Sequence, residues 1–321
     1  MSAVAELRRY FTETKRWLLV PVLLLAILPL VTEQYFLSIA TQAIILGLFA
    51  ISVDIALGYV GLFTLAPAAF FGIGAYSVAK LVVDYGSSYW LGFPAAIVLA
   101  VVIAVLIGYG PIKRRIGLVY FVLFTLAFGV LVHDFTYATT WLTGGSNGLG
   151  YLTAPTLFGI DLSRTVPYYY FALLAVVVVA GLLYWLLSSD YGDVLHATRQ
   201  NEVRMRYLGY DTDREKLIAW VLSATVSSIA GALYVATVNV ASPSLMAFSL
   251  TGEVTIWVVI GGLGTFFGPF LAAFGLTIFE SYLGAVLPEG YLLILGALFI
   301  VFVFVLPDGL VGLLQRWRDG E

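Results

Sequence analysis

The chain has 321 residues, of which 61% are hydrophobic and 11% charged, and a net charge of −3. A soluble globule of this size needs far more polar surface, so the composition implies a protein that crosses a membrane many times. So small a net charge gives no case for nucleic acid, and the absence of cysteine excludes disulfides and thiolate chemistry.

Apolar windows of roughly 17–25 residues mark candidate spans. They fall at about 17–31, 36–57, 62–83, 90–110, 117–137, 166–187, 217–239, 251–264, 269–287 and 291–306. The first follows Arg8, Arg9, Lys15 and Arg16 and lacks a small-residue cleavage site, so a retained span is expected rather than a removed signal peptide. With a cytoplasmic N-terminus, ten crossings put 1–16, 58–61, 111–116, 188–216, 265–268 and 307–321 inside. All sixteen Lys and Arg except Lys80 and Arg164 lie in those segments. One span too many or too few would scatter them, so the charges support ten spans with both ends inside. The expected fold is an all-α polytopic membrane protein. It has a cytoplasmic segment 1–16, a transmembrane domain 17–306 and a cytoplasmic tail 307–321.

Two glycine-rich stretches touch the spans. One runs from Gly58 through Gly61, Thr64 and Pro67 to Gly72, Gly74 and Tyr76; the other is Gly261, Gly262, Gly264, Gly268 and Pro269. Such density serves close helix packing or a helix broken within the membrane, which is tolerated only when buried in protein or lining a cavity. A lining for a translocation path is the sharper of the two readings. The longest external segment, 138–165, carries Trp141, Thr143, Gly144, Gly145, Ser146, Asn147 and Gly148, and its glycines predict a shaped loop rather than a helix.

The stretch Asp190–Lys216 is the one long polar run between apolar spans. Asp193 is the expected N-cap and Gly209 the left-handed closing residue, with a single helix of about four turns between them. That helix carries Arg199, Arg204 and Arg206 beside Val203, Tyr207 and Leu208. It serves either as a basic anchor that sets topology or as a surface that docks a partner.

Four acids fall in or near spans. Asp54 and Asp134 stand close enough to span ends to reach water or headgroups, whereas Glu253 and Glu280 are candidates for a pathway or inter-helix role. No catalytic constellation is present. His133 and His196 stand far apart and predict no metal site. There is no G-x-x-x-x-G-K-[ST] and no Gly-Lys pair, so an ATP-driven mechanism would need another chain to bind the nucleotide.

Several of these stretches together carry a resemblance. Gly192, Ala197, Arg199, Asn201, Glu202, Gly209 and Lys216 are similar to the cytoplasmic signature of the permease subunits of branched-chain amino acid ABC importers, the LivM family. So are Tyr120–Phe128, Leu142–Gly145 with Asn147–Leu149, Ala69–Tyr76, Val259–Gly264 with Gly268 and Pro269, and Leu306–Gly312. The chain departs from the family at Thr64-Leu65-Ala66-Pro67, where Ser-Leu-Gly-His is common. The resemblance implies a type II importer fold in a prokaryotic inner membrane, transporting branched-chain amino acids without being an enzyme. It further implies that Arg199, Asn201, Glu202 and Gly209 couple to an ATPase, while Gly61, Thr64, Gly72, Gly74, Glu253, Gly261, Gly262 and Gly264 are the candidate lining of the path. Thr143, Gly144, Gly145, Asn147 and Gly148 would shape the external lip. The implied partners are a second, related permease in a heterodimer, two ATP-binding subunits, an external solute-binding protein and the lipid bilayer. This chain would bind no cofactor and leave ATP to its partners. Urea, short amides or other amino acids are alternative cargoes. The rival class is an ion-coupled secondary transporter titrating Glu253 or Glu280.

Overall fold

From Ala43 to Asp54 every residue of helix α2 (Gln34–Asp54) is buried. A helix apolar on all sides must be surrounded by other helices, and α2 with α10 (Thr212–Val238) forms the centre of the bundle. The computed structural model describes residues 19–85, 89–150, 156–157 and 160–287, with single residues between 294 and 309.

Around that centre stand α1 (Leu19–Val31), α3 (Pro67–Tyr85), α4 (Tyr89–Lys113), α5 (Leu118–Ala138), α7 (Thr165–Leu187), α11 (Phe248–Gly261) and α12 (Phe267–Val286). A one-turn α6 (Thr140–Thr143) sits in the segment between α5 and α7, and α8 (Asp190–Gln200) and α9 (Glu202–Tyr207) lie in the polar run. Helices cover the first nine expected spans. Six are long and apolar enough to cross a membrane, while α1, α3 and α11 are shorter. The segments 1–16 and 307–321 and the tenth span, 291–306, lie outside the described residues except for a few single positions. Large apolar side chains on α4, α5 and α7, such as Leu106, Leu131 and Leu182, are exposed, as a lipid-facing surface requires.

Small residues set how the helices meet. On α4 the buried positions Gly92, Ala96, Ala100, Ala104, Gly108 and Ile112 recur every fourth residue, making a narrow groove along one face. Helix α10 fills it: the Trp220 indole lies against Gly108 and donates to the Ala104 carbonyl at 2.8 Å. Hydroxyls complete the joint. Ser228 donates to the Ala96 carbonyl at 3.0 Å, Ser223 to the Ser52 carbonyl at 2.6 Å, and Ser52 and Ser227 share a bond of 2.7 Å.

The strands are two-residue pairs among the described residues. β1 (Leu149–Gly150) runs antiparallel to β4 (Val240–Ala241), and β2 (Thr156–Leu157) to β3 (Ile160–Asp161). The first pair ties the loop that follows α6 to the segment after α10.

The polar run corrects the sequence reading. Ser189, not Asp193, caps the first helix, its hydroxyl accepting from the Tyr191 N–H. One helix becomes two, because Asn201 adopts extended backbone (φ −156°, ψ 90°) and its Oδ1 caps α9 through the Arg204 N–H at 2.9 Å. Asn, which hydrogen-bonds local backbone readily, outcompetes helix continuation here. Gly209 does take the expected left-handed conformation, φ +94°.

Candidate functional site

Two breaks in helical backbone meet at one end of the bundle. The first follows α2, which relaxes into a π-turn (Ile55–Tyr59) and then runs without helix to Pro67. The second is the turn between α11 and α12, residues 262–266. Asp54, at the end of α2, is fully buried, and its Oδ1 accepts the Gly264 N–H at 2.7 Å. This corrects the expectation that Asp54 reaches water or headgroups: the folded-back second break covers it. Gly58 is what makes the bond fit, since a Cβ there would sit 1.8 Å from the Asp54 carboxylate and 2.4 Å from the Gly264 nitrogen.

Non-helical backbone at such depth needs partners, and threonines supply them. The Leu65 N–H donates to Thr125 of α5 at 3.1 Å, the Ala66 N–H to Thr64 at 3.2 Å, and the Ala68 N–H to Thr251 of α11 at 3.2 Å.

Helix α8 lies against both breaks. Its Arg199 guanidinium donates to the Gly58 carbonyl. His196 packs its ring on Tyr59 at 4.5 Å between centroids. Burial, and next the Arg199 charge, push the His196 imidazole down to about 4, so it is neutral at ordinary pH. The Arg199 side chain also passes over Gly61, 3.1 Å from where a Cβ would be.

Beside it, α9 is bound by an ionic network. Glu202 accepts from Arg206, one helical turn on, and from Lys216 of α10 at 2.6 Å. Arg206 also reaches Asp213 at 3.1 Å, and Arg115 in the α4–α5 corner pairs with the same carboxylate at 2.9 Å. Arg115 holds φ +54°, unusual for a side chain of its size, to make that reach. Partial exposure weakens each pair, but together they lock α9, the α4–α5 corner and the start of α10 into one unit. The opposite side of α9 is apolar and bare: Val203, Tyr207 and Leu208 are 58%, 88% and 66% exposed.

At the other end, the loop from Thr143 to Gly148 is closely fitted. Thr143 donates to the Thr136 carbonyl at 2.6 Å and its hydroxyl accepts the Gly145 N–H at 3.4 Å. Gly144 and Gly148 hold positive φ, and a Cβ on Gly148 would stand 2.1 Å from the Ala241 carbonyl. Ser146 and Asn147 face solvent.

The remaining glycines named from the sequence stand at helix contacts. Gly72 receives the Met246 side chain, Gly74 abuts the Ser228 carbonyl, Gly261 abuts Gly268, and Gly262 abuts Gly309. Glu253 and Glu280 both line a cavity of about 330 Å³. Asp134 is exposed and bonds His133 at 2.9 Å. Sequence reasoning missed Asp54, His196, Arg115 and Asp213. The apolar environment of Asp54 was visible, but its partner lies 210 residues away.

Residues 35–303 match the family described as "Branched-chain amino acid transport system / permease component". The high-affinity branched-chain amino acid transport system permease protein LivM of Escherichia coli K12 is 31% identical over 94% of this chain and 76% of its own length. The LivH permease protein of the same organism is 25% identical over 87% of this chain and 96% of its own. The autoinducer 2 import system permease protein LsrC of Yersinia pseudotuberculosis is 28% identical over 44% of this chain and 40% of its own. No solved structure matches.

Proposed function

The chain belongs to the permease-component family of branched-chain amino acid transport systems, and from that premise we propose how it works in an ATP-driven importer. It is a multi-pass membrane permease subunit of a branched-chain amino acid importer, not an enzyme, and ATP is hydrolysed on separate subunits. The family therefore favours this class over the ion-coupled transporter.

In our reading the permease crosses a prokaryotic inner membrane ten times, with both termini in the cytoplasm. The segments assigned inside do cluster at one end: Gly58 with Arg199, Asp54 with Gly264, and Arg115 with Asp213. Those assigned outside meet at the other, as Leu149 pairs with Ala241. A second, LivH-like permease completes a heterodimer. Two ATP-binding subunits stand below it and a solute-binding protein above.

The observation that carries the mechanism is the two-sidedness of α8 and α9. Their inner side is bonded to the spans through Arg199, His196 and Glu202, while Val203, Tyr207 and Leu208 project bare. We read that bare face as the contact for an ATP-binding subunit. Closure of the ATPases would push α9, and the push would pass by two routes. Arg199 carries it to the π-turn and, through Asp54, to the α11–α12 turn; Glu202 carries it to α10 and the α4–α5 corner. Asn201 is the joint between the two helices, and Gly209 sets the direction in which the chain enters α10. The external loop around Gly144 and Gly148 would receive the solute-binding protein.

Co-purification tests the assembly. Tagged chain expressed with its neighbouring genes should retain a related permease and an ATP-binding subunit, and Tyr207→Ser with Leu208→Ser should release the ATP-binding subunit only. Full retention by that variant would remove α9 from the contact.

A further inference from the structure

The cavity of about 330 Å³ lies within this one subunit, walled by α2, α10, α11 and α12. Its size is at the small end of ligand pockets. Two carboxyls, Glu253 and Glu280, line it together. Two further polar groups line the same cavity without a hydrogen-bond partner among the described residues: the Trp257 Nε1–H and the Thr277 hydroxyl. Trp257 is 2% exposed and Thr277 7%, so neither reaches bulk water. Buried donors in natural proteins have partners, and an indole N–H can only donate. Leu46, Phe71, Leu245 and Leu250 supply an apolar part of the wall, and Gln42, Tyr234 and Ser281 bring further polar groups to it.

Acceptors for a cation, an unused donor for an anion and an apolar patch of wall together describe one chemical class. We infer that this cavity is an intrasubunit binding site for a zwitterionic amino acid with an apolar side chain. The Glu253–Glu280 pair takes the ammonium, Trp257 and Thr277 take the carboxylate, and Leu46 and Leu250 face the side chain. The inference rests on the reading of the chain as an amino acid permease, and it adds a station for cargo inside the permease itself.

The test uses the assembled complex with its partner permease and ATP-binding subunits, in lipid nanodiscs and without the solute-binding protein. Equilibrium binding is measured up to millimolar concentration with three probes: L-leucine, isoamylamine, which keeps only the ammonium, and isovalerate, which keeps only the carboxylate. L-leucine should bind saturably. The Glu253→Gln/Glu280→Gln variant should weaken L-leucine and isoamylamine at least tenfold. Trp257→Phe and Thr277→Val should each weaken L-leucine and isovalerate severalfold and leave isoamylamine unchanged. Unchanged elution with the same subunits verifies that each variant assembles. Leucine binding that all the variants leave intact, or no saturable binding by the parent, would overturn the site. Uptake of leucine into proteoliposomes with the solute-binding protein is read separately. Uptake without pair-dependent binding rejects the cavity and keeps the permease reading, whereas loss of uptake by the parent contradicts that reading itself.

Discussion

The Asp54 carboxylate accepts the Gly264 N–H at 2.7 Å, joining two helix breaks that lie 210 residues apart. Each break alone leaves backbone groups unsatisfied in an apolar environment; joined, they brace one another. Asp54→Leu removes the acceptor and leaves a buried N–H unpaired, a loss of about 1–3 kcal/mol. Thermal unfolding in detergent should show that loss, with transport reduced in parallel. Asp54→Asn keeps an acceptor oxygen and should fall between Leu and the parent.

Close approach of α3 and α10 gives a second prediction. A Cβ on Gly74 would lie 1.9 Å from the Ser228 carbonyl, and one on Gly231 1.8 Å from that of Phe71. Neither obstacle is a movable side chain. Gly74→Ala and Gly231→Ala should each destabilise by about 1–3 kcal/mol through forced separation of the helices. Gly181→Ala and Gly275→Ala, with nothing within 4 Å, should be silent in the same melting assay.

These contacts also show what could be read in advance. Hydropathy placed nine helices within a few residues of where they lie, because a bilayer demands long apolar runs. The shaped loop at Gly144–Gly148 was legible from its glycines. The break at Asn201 was not, since Val203 and Tyr207 keep a helical i, i+4 spacing past it and capping by Asn is a local competition. Asp54 was misplaced because its covering element, the Gly264 turn, is remote in sequence. The role of Arg115 depended on a bend that no pattern in residues 113–116 announces. The groove at Gly92, Ala96, Ala100, Ala104 and Gly108 could have been found from its four-residue spacing alone.

His196 provides a pH dependence whose sign follows from burial. Its imidazole is held near 4 in the folded chain against an ordinary 6.5, so the unfolded state binds the extra proton. Stability contributed by the neutral ring is present above about pH 6.5 and lost progressively as pH falls toward 4. The full difference is roughly 3 kcal/mol at 1.36 kcal/mol per unit. His196→Phe keeps a ring against Tyr59 without a titrating group. The parent-minus-variant difference in melting temperature should therefore be flat above pH 6.5 and fall below it.

The orientation is testable by labelling, aided by the absence of native cysteine. Ser146 and Gln200 are both exposed, in the loop after α6 and at the end of α8. Ser146→Cys and Gln200→Cys should react with an impermeant maleimide from opposite faces of sealed vesicles. Reaction of both from one face would contradict the ten-span arrangement.

The central claim is that α8 and α9 transmit ATPase motion rather than merely anchor the chain. An anchor requires only charge, so Arg199→Lys would be silent. A transmitter requires the planar guanidinium that holds the Gly58 carbonyl, and Glu202 as the acceptor of both Arg206 and Lys216. The most direct measurement is ATPase activity of the reconstituted complex, with and without substrate-loaded binding protein. Arg199→Lys and Glu202→Gln should assemble normally and hydrolyse ATP at the basal rate, but lose most of the substrate-dependent stimulation. Parental stimulation in both variants would contradict the account and leave this segment as an anchor alone.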